Sequence, residues 1–178
     1  MGLGLHGGGL ATAEYCRRHG AEVTITDLKP AERLRMTLSQ VHPDVRLVLG
    51  EHREADFRAT DMVVKNPAVP RSSPFLKLAP RIETDISLFL AQFTGPVYGV
   101  TGTKGKSTTV SALHQMIAAE HPDARLGGNI TISPLSFLDE LEQDSPVILE
   151  LSSFQLGDLM LTSCGARGRI PQLALAGI

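Results

Sequence analysis

Short apolar runs alternate along this chain with longer segments of helical period, and the switches between the two predict its elements. Val23-Thr24-Ile25-Thr26 (the core of a strand over 22–26), Val45 to Leu49, Met62-Val63-Val64-Lys65, Val97 to Val100 and Pro146 to Leu151 are brief and rich in β-branched residues. Gly, Pro or Asp bounds them, which is the pattern of buried strands. Leu10 to His19 has helical spacing and Gly20 is a natural stop; Pro30 to Gln40 carries proline in its first turn. Ser107 to Ala119 is amphipathic, with Val110, Leu113, Met116 and Ile117 as its apolar face, and Pro134 to Leu141 reads as a further helix. Glu51 to Phe57 is short and polar. Over Ile82 to Leu90, Glu83 and Asp85 read as acidic groups at a helix N-terminus. Leu173 to Ile178 reads as a last strand. Strands alternating with helices predict an α/β fold with parallel sheets. Thr94-Gly95-Pro96 is the best boundary, dividing the chain into 1–94 and 95–178.

The chemistry concentrates where the strand at Val97–Val100 meets the helix that follows. Between them lies Gly102-Thr103-Lys104-Gly105-Lys106-Ser107-Thr108. Strand, glycine-rich loop and helix form the setting in which backbone N–H groups and a helix N-terminus hold phosphate. Lys106 supplies a mobile cation for outer phosphates, and the Ser107 hydroxyl is placed to ligate Mg²⁺. The spacing is G-x-x-G-K-S, so Val100 stands where the longer phosphate-loop pattern has its first glycine. Glu150, near the end of a buried-type strand, is a second candidate for the same cation. A carboxylate at a strand's carboxyl end faces the ligand side of an open sheet, and a lone buried Glu is otherwise costly.

A second glycine loop opens the chain. Gly2-Leu3-Gly4-Leu5-His6-Gly7 fits G-x-G-x-x-G, a helix pattern follows, and Asp27 stands about 20 residues on, where a dinucleotide domain binds ribose. An NAD site is therefore a rival reading, although the strand that should precede the loop is absent. With the chain opening inside a ligand loop and stopping on a core strand, a fragment at both ends is expected.

Composition narrows the classes. The chain has 178 residues, 42% hydrophobic and 20% charged, enough for one good core or two small domains. A net charge of −2 without a basic tail argues against a nucleic-acid surface. Cys16 and Cys164 are far apart without metal spacing, so reduced thiols and a cytoplasmic location are expected. The sequence shows neither a signal-peptide pattern nor an apolar run long enough to span a membrane. His114, within the helix after the phosphate loop, reads as structural.

The loop and a second segment also carry a resemblance. G-x-x-G-K-[ST]-[ST] after a Val-Thr strand end resembles the ATP site of the Mur ligases and their folate-ligase relatives. Glu150-Leu151-Ser152-Ser153-Phe154-Gln155-Leu156 is similar to the E-L-S-S-F-Q-L signature of the D-glutamate-adding branch. The resemblance implies a Rossmann-like first domain holding the UDP part of the substrate, followed by part of a P-loop-type parallel-sheet ATP-binding domain. It implies ATP and Mg²⁺ as cofactors, UDP-N-acetylmuramoyl-L-alanine and D-glutamate as substrates, and a monomer. By position it places Leu5, His6 and Gly7 beside the uridine diphosphate and Asp27 near uracil. His6 departs from the Ser or Thr common there, and a solvent-exposed loop histidine is the alternative. Gly127-Gly128-Asn129-Ile130 resembles the family's G-G-N-I, whose asparagine reaches the substrate; an ordinary turn residue is the other reading of Asn129. Ser152 and Gln155 match substrate contacts, while Phe154 and Leu156 read as core. Asn66-Pro67-Ala68 replaces the family's Ser-Pro-Gly, and a positive φ at Ala68 would be strained. Cys164 to Arg169 has no counterpart.

The implied reaction is amide ligation through an acyl phosphate, with Lys106 and Glu150 as the catalytic candidates. The family continues past residue 178 with further metal and substrate residues, so no turnover by this chain alone is expected. The other classes are a different P-loop NTPase and a non-catalytic nucleotide-binding module.

Overall fold

The computed structural model describes residues 1–4, 7–129 and 132–163, together with the backbone of Gln172–Leu175. The chain divides into two compact units, Met1–Asp85 and Ile86–Ile178. Both are α/β with parallel strand pairing.

In the first unit, α1 (Gly8–Arg18) is followed by β1 (Thr24–Asp27), α2 (Ala31–Leu38), β2 (Arg46–Leu49), α3 (Glu54–Ala59), β3 (Val63–Val64) and β4 (Ile82–Glu83). β1 pairs with β2 and β3 with β4. Met1 and Gly2 lie between the two pairs. The Gly2 N–H donates to Thr26 O at 2.8 Å, the Asn66 N–H donates to Met1 O at 3.0 Å, and the Met1 ammonium donates to Val64 O at 2.9 Å. Leu3, Ala13, Ile25, Leu34 and Val45 form one buried cluster; Phe57, Val63 and Leu76 form another.

The second unit contains α4 (Asp85–Gln92, its first residue closing the first unit), β5 (Val97–Thr101), α5 (Lys106–Ala118), β6 (Arg125–Gly128), β7 (Val147–Glu150), α6 (Ser153–Leu159) and β8 (Gln172–Leu175). Its strand order is β6-β7-β5-β8, with β7 buried at every position. A strand covered on both faces reads as a continuous apolar run, and Val147-Ile148-Leu149 is one. Val110 of α5 packs with Val100, Ala124 and Ile148, and Leu113 and Ile117 join that cluster.

Several predicted elements differ. Pro134 to Leu141 is not an α-helix but two 3₁₀ turns, Pro134–Ser136 and Leu138–Glu140, anchored by buried Leu135 and Phe137. Glu51 to Phe57 hides α3, too short for its period to show in the sequence. Met116 is 72% exposed rather than part of the apolar face of α5, because six residues at about 100° each carry it away from Val110. Glu83 lies on β4, fully buried and bridged to Arg81 at 2.8 Å, rather than in the first turn of α4; Asp85 is in that turn. Phe154, expected in the core, is 69% exposed. α4 goes with the second unit, whereas the boundary read at Thr94–Pro96 groups it with the first.

Candidate functional site

β5 ends at Thr101, and the chain turns through Gly102 to Gly105 before α5 begins at Lys106. Gly105 is the helix N-cap, with φ +77 and no atom near the place of a β-carbon. Glycine is needed there for its left-handed backbone rather than for space. Thr103, Lys104, Gly105, Ser107 and Thr108 are exposed, so the loop and the first turn of α5 are open to solvent. Lys106 folds back, its Nζ donating to Gly102 O at 2.8 Å. Ligand oxygens can replace that carbonyl as acceptors without moving the backbone.

Glu150 stands at the carboxyl end of β7, which pairs with β5 on one side and β6 on the other. Its side chain is almost wholly buried, and one neutral donor meets each carboxylate oxygen. Ser107 Oγ donates to Oε2 at 2.7 Å, and Asn129 Nδ2 donates to Oε1 at 2.8 Å. Asn129 is itself fixed by its N–H, which donates to Glu150 O at 2.8 Å. No basic side chain pairs with Glu150 among the described residues. A buried carboxylate held by neutral donors retains acceptor capacity and negative charge. Carboxylate and hydroxyl oxygens in contact form a donor set that suits a small hard cation. The described residues hold no group of three or more His, Cys, Asp or Glu suited to a metal, so this pair stands alone.

Ser152 and Gln155 close the N-terminus of α6. Ser152 Oγ accepts the Gln155 N–H at 3.2 Å, and Gln155 Oε1 accepts the Ser152 N–H at 3.0 Å. This capping box occupies both side chains with each other, and Gln155 is buried. The S-x-x-Q spacing is itself the sequence signal for it. His114 Nε2 lies 3.2 Å from Ala124 O and ties α5 to the turn before β6, a structural position.

In the first unit, Leu5 and His6 lie outside the described residues; Gly7 is the N-cap of α1, with φ +82. Asp27 is buried and bound to the loop it follows in space. Its Oδ2 accepts the Leu3 N–H at 2.9 Å and the Gly4 N–H at 3.4 Å, and its Oδ1 accepts the Lys29 N–H at 2.8 Å. Asp27 thus holds the glycine loop by its backbone. Sequence reasoning missed Gly9: a β-carbon there would collide with the Leu3 carbonyl oxygen, so only glycine lets α1 begin against the loop. Asn66 also shapes this unit. Its Oδ1 accepts the Ala68 N–H at 3.0 Å, closing the Asn66-Pro67-Ala68 turn. No described non-glycine residue has positive φ, so Ala68 is unstrained. Cys16 is a free thiol; Cys164 lies outside the described residues. No helix among the described residues is long and apolar enough to cross a membrane.

Residues 1–87 match the family model of the Mur ligase MurD-like N-terminal domain. The chain is 51% identical over 162 residues to the UDP-N-acetylmuramoylalanine–D-glutamate ligase of Borreliella afzelii (strain PKo), covering 89% of this chain and 36% of that protein. It is 44% identical over 179 residues to the ligase of the same name from Roseiflexus sp. (strain RS-1), covering 98% and 37%. A solved structure of a pseudomurein peptide ligase type C from Methanothermus fervidus aligns with 82% of this chain and 30% of that one, at 22% identity and a TM-score of 0.41. The chain spans about a third of the length of the curated relatives it matches. The chain thus resembles the D-glutamate-adding Mur ligases over most of its length, with residues 1–87 matching the MurD-like N-terminal domain.

Proposed function

We propose that this chain is the nucleotide- and substrate-binding portion of an ATP-dependent ligase that joins D-glutamate to UDP-N-acetylmuramoyl-L-alanine in peptidoglycan precursor synthesis. The observation that carries the reading is the convergence of Ser107 and Asn129 on buried Glu150, beside the glycine loop that opens α5. In this reading the first unit, Met1–Asp85, is a Rossmann-like domain for the uridine diphosphate end of the substrate. The remainder begins a P-loop-type ATP domain.

Ser107 Oγ and Glu150 are the residues that would hold Mg²⁺, and the cation would offset charge on the ATP phosphates. Gly102 to Thr108 present backbone N–H groups and the start of α5 to those phosphates. Lys106 would leave Gly102 O to donate to the outer phosphate. There it offsets the repulsion between the attacking substrate carboxylate and the γ-phosphate. In this reading a substrate carboxylate oxygen would take the γ-phosphoryl group with release of ADP, and the D-glutamate amine would then bond to the acyl carbon, giving up a proton as phosphate leaves. Asn129 fixes the direction of the Glu150 carboxylate and contacts the substrate on its other side. Ser152 and Gln155 act through the capping box, which sets the path of the chain just after Glu150. Leu5, His6 and Gly7 are the residues that would meet the diphosphate, and Asp27 holds the Leu3 and Gly4 amides just before them.

Thermal shift with ATP·Mg²⁺, UDP-N-acetylmuramoyl-L-alanine and NAD tests the reading. A ligand that binds only the folded state raises the melting temperature. The first two ligands should each raise it and NAD should not. A shift with NAD alone would overturn the proposal.

A further inference from the structure

The parallel strands β5, β6 and β7 give the second unit two distinct edges, and charge divides between them. Val100 of β5 lies beside Glu150 of β7, and the loop carrying Lys104 and Lys106 opens from that carboxyl edge. α5 runs back to the opposite edge, where Glu120 and Asp123 lead into β6 and Glu142 and Asp144 lead into β7. None of these four carboxylates is buried. The four residues of β7, at the ~3.3 Å rise of a parallel strand, set the edges about 13 Å apart. Among the described residues of this unit, Arg125 is the only Lys or Arg away from the loop. Its Nη1 donates to Asp123 O at 3.1 Å, on the amino edge. The unit is therefore polarised along its strands, acidic where they begin and basic where the glycine loop opens, with buried Glu150 the exception at the carboxyl edge.

The two loop cations are held differently. Lys106 Nζ donates to Gly102 O at 2.8 Å. Lys104 is exposed, and among the described residues no hydrogen bond or ion pair engages it. Its ammonium therefore does nothing for the shape of the loop. Its charge still lies within the ~8 Å screening length of any phosphate that the loop takes up. It also opposes Glu150, whose carboxylate stands at the same edge with only neutral donors. We propose that Lys104 sets the rate at which the loop captures ATP, drawing the polyphosphate to the carboxyl edge. The bound nucleotide is left to the backbone N–H groups, Lys106 and Ser107. The inference rests on the reading of this loop as an ATP site. A charge outside the close contacts acts on encounter and on its salt dependence, whereas a contacting group acts on dissociation. The acidic amino edge works in the same sense, because it repels the anion from the wrong side of the unit.

The test is stopped-flow association of a ribose-labelled fluorescent ATP analogue, in the presence of Mg²⁺, with the 178-residue chain. Lys104→Gln should lower the association rate constant roughly threefold at about 10 mM salt, where the screening length is about 30 Å. At about 1 M salt, where that length is about 3 Å, the difference should vanish. The dissociation rate constant should stay within about twofold of the wild type at both. Lys104→Arg should restore the association rate, since charge rather than shape is at work, and Lys104→Glu should lower it roughly tenfold at low salt. An unchanged association rate at low salt overturns the inference, as does a loss confined to dissociation or one that arginine does not restore. An analogue that fails to bind the wild-type chain overturns the ATP reading of the loop, and the inference with it.

Discussion

Glu150 is the residue on which the proposed cation site turns, because burial, charge and position make different demands on it. As a buried carboxylate with two neutral donors it gains little for the apo fold. Glutamine has the same shape: its amide oxygen can accept from Asn129 and its NH₂ can donate to Ser107 Oγ once that hydroxyl turns. Glu150→Gln should leave the melting temperature of the ligand-free chain unchanged or raised, while removing the Mg²⁺ dependence of ATP binding. A structural carboxylate would give the opposite pair of results. Lys106→Ala should weaken ATP·Mg²⁺ binding roughly tenfold or more, the scale of one charge-assisted contact to phosphate, without changing the fold. Titration calorimetry of the variant checks it. Gly105→Ala should cost about 1–2 kcal/mol through its left-handed φ alone, read by urea unfolding, since nothing blocks the added methyl.

Among the elements, α5 and α6 show where local sequence speaks clearly and where it misleads. The strand–loop–helix around Lys106 was legible because an apolar run, two glycines and an amphipathic helix each point the same way. α6 was legible as a signature but not as a structure. Ser152 and Gln155 match substrate contacts by resemblance, yet their geometry is a capping box. Ser152→Ala should therefore lower stability by about 1 kcal/mol in urea unfolding, whatever it does to ligand binding. Phe154 and Met116 looked like core residues because hydrophobicity says nothing of facing, and neither sits on the buried side of its helix. The segment from Pro134 misled for another reason: two 3₁₀ turns bury Leu135 and Phe137 without helical hydrogen bonding through the whole stretch. Spacing and resemblance single out Asp27 for a nucleotide contact, but not for its place in the fold. Its work of holding the Leu3 and Gly4 amides depends on a contact across 24 residues that no local pattern reveals.

At the scale of the whole molecule, each unit has its own source of conditional stability. In the first, burial draws the Met1 ammonium from its ordinary 8.0 down to about 6, against the opposing pull of Asp27. The unfolded chain keeps its ordinary value, so between about 6 and 8 the unfolded state binds more protons. Stability should climb as pH rises through that window, by on the order of 2 kcal/mol, and the full deficit should be present below it. His52 contributes with the same sign, since burial and the Met1 charge hold its ring below the usual range. Urea unfolding of the free and Nα-acetylated chains across pH 5.5–8.5 separates the two, because acetylation should remove the Met1 share. In the second unit, stability should instead follow ATP and Mg²⁺. The most direct measurement is titration calorimetry of ATP into the wild-type chain and Glu150→Gln, each with and without Mg²⁺. The account predicts that Mg²⁺ tightens ATP binding to the wild type and does not do so for the variant. Equal Mg²⁺ dependence in both would contradict the assignment of Glu150 and Ser107 as the cation site.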